Sequence, residues 1–146
     1  MNKCPISYQP VENKKYSAEG LLLLSKNLTN LEDFPYAAKE QLKLATIYAE
    51  KLSIQGVQPK LSVNLNIKKA CFEIVEKNGH YIVKPPHDFF EELPQNEDLT
   101  MKLAKACQIS TPIHGMFYNK DQTLSYFIKR FDRGTKKKKF ALEDFS

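Results

Sequence analysis

Nothing in the 146 residues approaches the length of apolar chain that crosses a bilayer. The longest uninterrupted apolar run is Leu21 to Leu24, where a spanning helix needs roughly 20 residues. The opening, Met1-Asn2-Lys3-Cys4-Pro5, lacks the apolar stretch and small-residue cleavage site of a secretory signal. Cysteine is scarce: Cys4, Cys71 and Cys107 are an odd, widely spaced set, which argues for reduced thiols rather than a disulfide framework. A cytoplasmic location is the resulting expectation. His80, His87 and His114 have no metal-ligand spacing among themselves or with the cysteines, so no metal site is expected in this chain. No internal repeat is visible, and the only low-complexity stretch is Lys136 to Lys139.

What is present suits a folded domain, or one lobe with an extension. Nine Phe and seven Tyr supply ample core material. The net charge of +5 invites a nucleic-acid reading, but four of its lysines form the single run Lys136 to Lys139. A nucleic-acid surface wants aromatic residues interleaved with basic ones, and the run has none. It reads as a solvated stretch, and direct nucleic-acid binding is not expected.

Periodicity divides the chain. Residues 1 to 34 are mixed, with short turns and a little strand or helix. Pro35 is expected to open a helix carrying Ala37, Leu42, Ala45, Tyr48, Ala49 and Leu52 at helical spacing and ending near Lys51. From Lys60 the period becomes two: Leu61, Val63 and Leu65 alternate with polar neighbours, followed by Phe72 to Glu76 and His80 to Val83. Asn78-Gly79 between the last two runs predicts a tight hairpin, because both residues accept positive φ. Pro94 to Asp98 suits a helix start, with Leu99, Leu103, Ala104 and Cys107 as its apolar stripe, so that Cys71 and Cys107 read as core residues. Residues 113 to 118 and 124 to 131 read as another strand pair. The plan is α+β, an antiparallel sheet with packed helices. It divides into an extension with a helix (1–50), a central lobe (51–133) and a polar exit (134–146).

Two features point to chemistry. The segment Ser53-Ile54-Gln55-Gly56-Val57-Gln58-Pro59-Lys60 is a small loop between helix and strand. Gly56 would let backbone N–H groups approach phosphate oxygens, although one glycine equally suits an ordinary turn. Lys84 ends the third predicted strand and Glu97 begins the next helix. In kinases a lysine on the third strand holds nucleotide phosphates and a glutamate on the following helix steadies it. Singly, Lys84 also fits a lysine reaching solvent from a strand end, and Glu97 an acid favoured by the helix dipole. Their order along the chain is harder to explain that way.

These stretches, together with Asn96-Glu97-Asp98-Leu99-Thr100-Met101 and Phe127-Ile128-Lys129-Arg130-Phe131-Asp132-Arg133, resemble successive motifs of HipA-type serine/threonine kinases, toxins of type II toxin–antitoxin systems. The opening, with Cys4-Pro5-Ile6 and Tyr16 to Leu21, is similar to the shorter HipT-type members. The resemblance implies a protein-kinase-like N-lobe in which Gln55, Gly56, Val57, Gln58, Pro59 and Lys60 cover the phosphates of ATP. Lys84 would contact those phosphates with Glu97 as its partner, and Lys129, Arg130 and Phe131 would form the hinge strand beside the adenine. Ser53 matches a serine that the family autophosphorylates; a phosphate there would repel those of ATP. The resemblance further implies ATP and Mg2+ as cofactors and aminoacyl-tRNA synthetases as substrates. It implies a HipB-like antitoxin, and a separate HipS-like N-terminal subunit, as partners.

Two departures qualify this. HipA itself has a glutamate at the position of Lys129. The family's catalytic aspartate, the following asparagine and the metal-binding aspartate belong to a C-terminal lobe, and no Asp-x-x-x-x-Asn pattern follows Arg133. No catalytic residue is therefore expected in this chain, and the chain alone is expected to be inactive as a kinase. The alternative is a non-catalytic module that sequesters an antitoxin or partner subunit. A basic nucleic-acid-binding domain is a third reading, well behind.

Overall fold

The computed structural model describes residues 2–49, 58–90 and 92–133. Two short strands, β1 (Asn2–Lys3) and β2 (Pro10–Val11), pair with each other, followed by helices α1 (Ala18–Leu24) and α2 (Ala38–Tyr48). The main sheet comprises β3 (Leu61–Asn66), β4 (Cys71–Ile74), β5 (Tyr81–Lys84), β6 (His114–Tyr118) and β7 (Leu124–Lys129), with α3 (Leu93–Ala106) between β5 and β6. Its order is β4-β3-β5-β7-β6, every pair antiparallel. The fold is α+β. Among the described residues no helix is long and apolar enough to cross a membrane.

Residues opposite one another in an antiparallel pair share a face, so the register sorts the sheet. Leu61, Val83, Phe127 and Gly115 form one row across it. Together with Val63, Phe72, Tyr81 and Phe117 they face an apolar layer supplied by Cys4, Ile6, Tyr16, Leu21, Leu24, Leu28, Leu31, Phe34 and Ala45. Phe117 and Phe127 stack at an interplanar angle of 13°. The opposite face carries the row Lys84, Tyr126, Met116 and the row Ser62, Ile82, Ile128, His114. Helix α3 covers that face at β6 and β7.

Several sequence expectations give way here. Pro35 does not open a helix. Phe34 beside it is held extended by bonds to Tyr118 and Lys120 (Phe34 N–H to Tyr118 O, 2.9 Å; Lys120 N–H to Phe34 O, 2.9 Å). The helix begins three residues later, where carboxylates of Glu40 and Asp121 accept from the free N–H groups of Ala37 and Ala38 at 2.7 and 2.9 Å. Its expected end near Lys51 lies outside the described residues.

Asn78-Gly79 does not join adjacent strands either. Strands β4 and β5 lie on opposite sides of β3, so the connection crosses β3 at Ser62 to Asn64 instead of folding back. Asn78 does take positive φ, 59°. Gly79 is needed for close approach: a Cβ there would stand 1.9 Å from Ser62 Oγ and 3.1 Å from the Val63 nitrogen.

The apolar stripe assigned to α3 is on its outer side. Leu99 and Leu103 are 48% and 58% exposed, and Cys107 is exposed, while Pro94 and Asp98 are the buried positions. Cys71 is half-buried; of the three thiols it is Cys4 that lies in the core. Strand β7 stops at Lys129, so Arg130 and Phe131 fall beyond it.

Candidate functional site

Strand β5 turns Lys84 to the face that α3 covers, and α3 presents Glu97 to meet it. Lys84 Nζ donates to Glu97 Oε2 at 2.8 Å, with the two side chains 26% and 22% exposed. Such shelter weakens solvent screening, so the pair is held more firmly than a surface one. Directly across the ladder from Lys84 is Tyr126, its ring centroid 5.9 Å from the ammonium. Lys60, just ahead of β3, is in electrostatic reach of both partners. Burial holds its ammonium below the ordinary lysine value, the charge of Lys84 pushes the same way, and Glu97 opposes them.

Lys84, Glu97 and Tyr126 edge a cleft of about 310 Å³ whose walls also include Met101 and Ile128. It combines an apolar floor with one sheltered ion pair. A roomier groove of about 540 Å³ lies at the β6 end, between α1 and the second half of α3, walled by Leu22, Leu23, Lys105 and Pro112. It does not include Lys84 or Glu97.

Beside Glu97, Asp98 is fully buried. Its Oδ1 meets His114 Nδ1 at 2.8 Å, its Oδ2 accepts from Lys102 Nζ, and the Tyr8 hydroxyl also bonds it. Lys102 Nζ lies 4.1 Å from the Tyr8 ring centroid. Burial alone would raise the Asp98 carboxyl; hydrogen bonds from His114, Lys102 and Tyr8 together outweigh it and leave the group below its ordinary value. Such a group stabilises the fold above its unfolded pKa, about 3.9, and that contribution is lost as pH falls through the lower folded value. Urea unfolding between about pH 6 and pH 3 should therefore show a shallower loss of stability in Asp98→Asn than in the parent. Parallel curves would remove Asp98 from the acid response.

At the far end of β7 the Lys129 N–H donates to Ile113 O at 2.7 Å and the Arg130 N–H to His80 O at 2.8 Å. Both amides are thus committed within the sheet. The Arg130 side chain does not reach the cleft: it is buried on Asp132, Nε to Oδ1 at 2.8 Å and a second bond from the guanidinium to Oδ2. Phe131 is 68% exposed. Gln58, Pro59 and Lys60 are half-buried on the approach to β3. Ser53, Gln55, Gly56 and Val57, and the run Lys136 to Lys139, lie outside the described residues.

The structure therefore brings together Lys60, Lys84 and Glu97, and sets Arg130 apart in an ion pair of its own. Sequence reasoning missed the Asp98–His114 contact. Asp98 and Lys102 carry a signal, the (i, i+4) acid–base spacing of a helix, but that spacing usually marks a surface pair. Among the described residues no group of three or more His, Cys, Asp or Glu is placed to hold a metal ion.

Residues 52–146 match the HipA-like C-terminal domain family. The chain is also 32% identical, over 146 aligned residues, to a Haemophilus influenzae protein named "Putative kinase"; the match takes in 94% of this chain and 42% of that protein. The chain thus spans less than half the length of this curated relative. With the match covering well over half of its residues, the chain belongs to the HipA-like C-terminal domain family and is a kinase-related protein of the HipA type.

Proposed function

We propose that this chain supplies the nucleotide-binding lobe of a HipA-type serine/threonine kinase, with Lys84 holding the phosphates of ATP. The observation that carries the reading is the 2.8 Å pair between Lys84 on the third strand of the main sheet and Glu97 on the helix that follows. Protein kinases require this pairing for activity. Glu97 keeps the ammonium pointed into the cleft, Lys60 adds a second positive charge, and Tyr126 and Ile128 shape the floor. Bound ATP would supply the transferable phosphoryl group. The Mg2+ ligands and the residue that accepts the substrate proton would come from the part of the family's length that this chain does not span. The chain by itself is then a binder of nucleotide and not a transferase.

Titrating a fluorescent ATP analogue into the full chain tests this. Charge-assisted contacts to a phosphate contribute about 1.5–3 kcal/mol, so Lys84→Met should weaken binding roughly tenfold or more. Glu97→Gln should cost less, because the lysine charge remains. Equal affinity in the parent and Lys84→Met, or no binding by the parent, would sink the reading.

The exposed Leu22 and Leu23 on α1, and Leu99 and Leu103 on α3, favour a companion role: docking of a partner subunit, whether a HipB-like antitoxin or a HipS-like N-terminal protein. The substrate of the complete kinase would be an aminoacyl-tRNA synthetase, by the same family resemblance.

A further inference from the structure

Whatever fixes α3 also fixes the reach of Glu97 toward Lys84. Apolar packing does little of this, since Pro94 and Asp98 are the buried positions of the helix and Leu99 and Leu103 face outward. A helix docked on so little apolar surface can roll or slide unless directional contacts pin it. Among the described residues, two such contacts join α3 to the main sheet, on consecutive residues. Glu97 reaches the central strand β5 through two long side chains that remain about a quarter exposed. Asp98 reaches the edge strand β6 through a short carboxylate and a ring, 0% and 7% exposed. The same carboxylate collects Lys102 from the next helical turn and Tyr8 from the N-terminal segment. Successive helical residues project about 100° apart, so a roll that released Asp98 would carry Glu97 away from Lys84.

We propose that Asp98 is a positioning residue: by binding His114 on β6, it holds α3 in the roll at which Glu97 pairs with Lys84. Burial is what fits it for the task. A buried, fully hydrogen-bonded charge adds little net stability, yet it discriminates strongly among packings, because any alternative leaves it unpaired. The effect on nucleotide rests on the function proposed above; the effect on the helix does not.

The chain has three methionines, Met1, Met101 and Met116, so selective 13C-methyl labelling gives a sparse NMR spectrum. Met101 lies on α3 and shares the cleft with Tyr126, so its methyl resonance reports where the helix sits over that ring. In Asp98→Ala the Met101 methyl should move toward its random-coil position. Nucleotide affinity should fall about tenfold as the competent helix position becomes less populated. Asp98→Asn can meet His114 through its oxygen or its amide, and should restore the Met101 resonance and bring affinity within about twofold of the parent. Lys84→Met should weaken nucleotide binding yet leave Met101 in place. An unshifted Met101 methyl in a folded Asp98→Ala chain overturns the proposal. Should that variant fail to fold, His114→Ala removes the other partner and carries the same expectation and the same overturning result. If the parent binds no nucleotide, the functional reading fails, while the Met101 shifts still decide the role of Asp98.

Discussion

Gly79→Ala is expected to lower the thermal unfolding midpoint by about 10 °C. The added Cβ would stand 1.9 Å from Ser62 Oγ and 3.1 Å from both Ser62 Cβ and the Val63 nitrogen. Ser62 is 6% exposed and has little room to turn its hydroxyl away, and the Val63 nitrogen is backbone. The crossing chain cannot lift off cheaply, because Val75 N–H donates to Ser62 O at 2.9 Å and His80 N–H to Asn64 Oδ1 at 2.8 Å. Overpacking of this kind costs up to about 3 kcal/mol, and a domain of this size loses roughly 2–4 °C per kcal/mol. Ser62→Gly in the Gly79→Ala background removes both side-chain clashes and should recover most of the loss. A single Gly79→Ala variant melting within about 2 °C of the parent would show that the connection has room to move.

Asp132→Ala should destabilise the chain by about 3–5 kcal/mol, the usual cost of stranding one member of a buried ion pair. Arg130 and Asp132 side chains are each 2% exposed, so the guanidinium left behind could not recover its hydration in place. The two bonds from Arg130 are also the main reason the Asp132 carboxyl lies below its ordinary value. Replacing both residues with apolar ones, Arg130→Met with Asp132→Leu, should be far milder than the single change, since no buried charge is then stranded. A double-mutant cycle by urea denaturation separates the cases. If Asp132→Ala alone costs less than about 1 kcal/mol, the pair is open to water in solution.

The alternation in Leu61 to Leu65 and the run His80 to Val83 place β3 and β5, and the kinase pattern of a third-strand lysine followed by a helix glutamate points to a pair that the structure forms at 2.8 Å. Local pattern could not give the strand order. Asn78-Gly79 carries the same signal whether the chain folds back or crosses a neighbouring strand, and only the contact with Ser62 distinguishes the two. The buried face of α3 departs from its apolar pattern for a related reason. Leu99 and Leu103 form a credible apolar stripe, but the competing face carries Asp98, whose carboxylate finds His114, Lys102 and Tyr8 at once. Buried polar residues look like surface residues in a sequence. Gln41 and Ser125 show it again: both are fully buried, joined by a 3.0 Å bond between α2 and β7, 84 positions apart.

The match to the family begins at residue 52, whereas the apolar layer beneath Phe72, Phe117 and Phe127 comes from Cys4 through Phe34. The residues that the family model matches and the residues that cover one face of their sheet are therefore different portions of one chain. The matched portion by itself would present a sheet with one wet aromatic face, a surface prone to association.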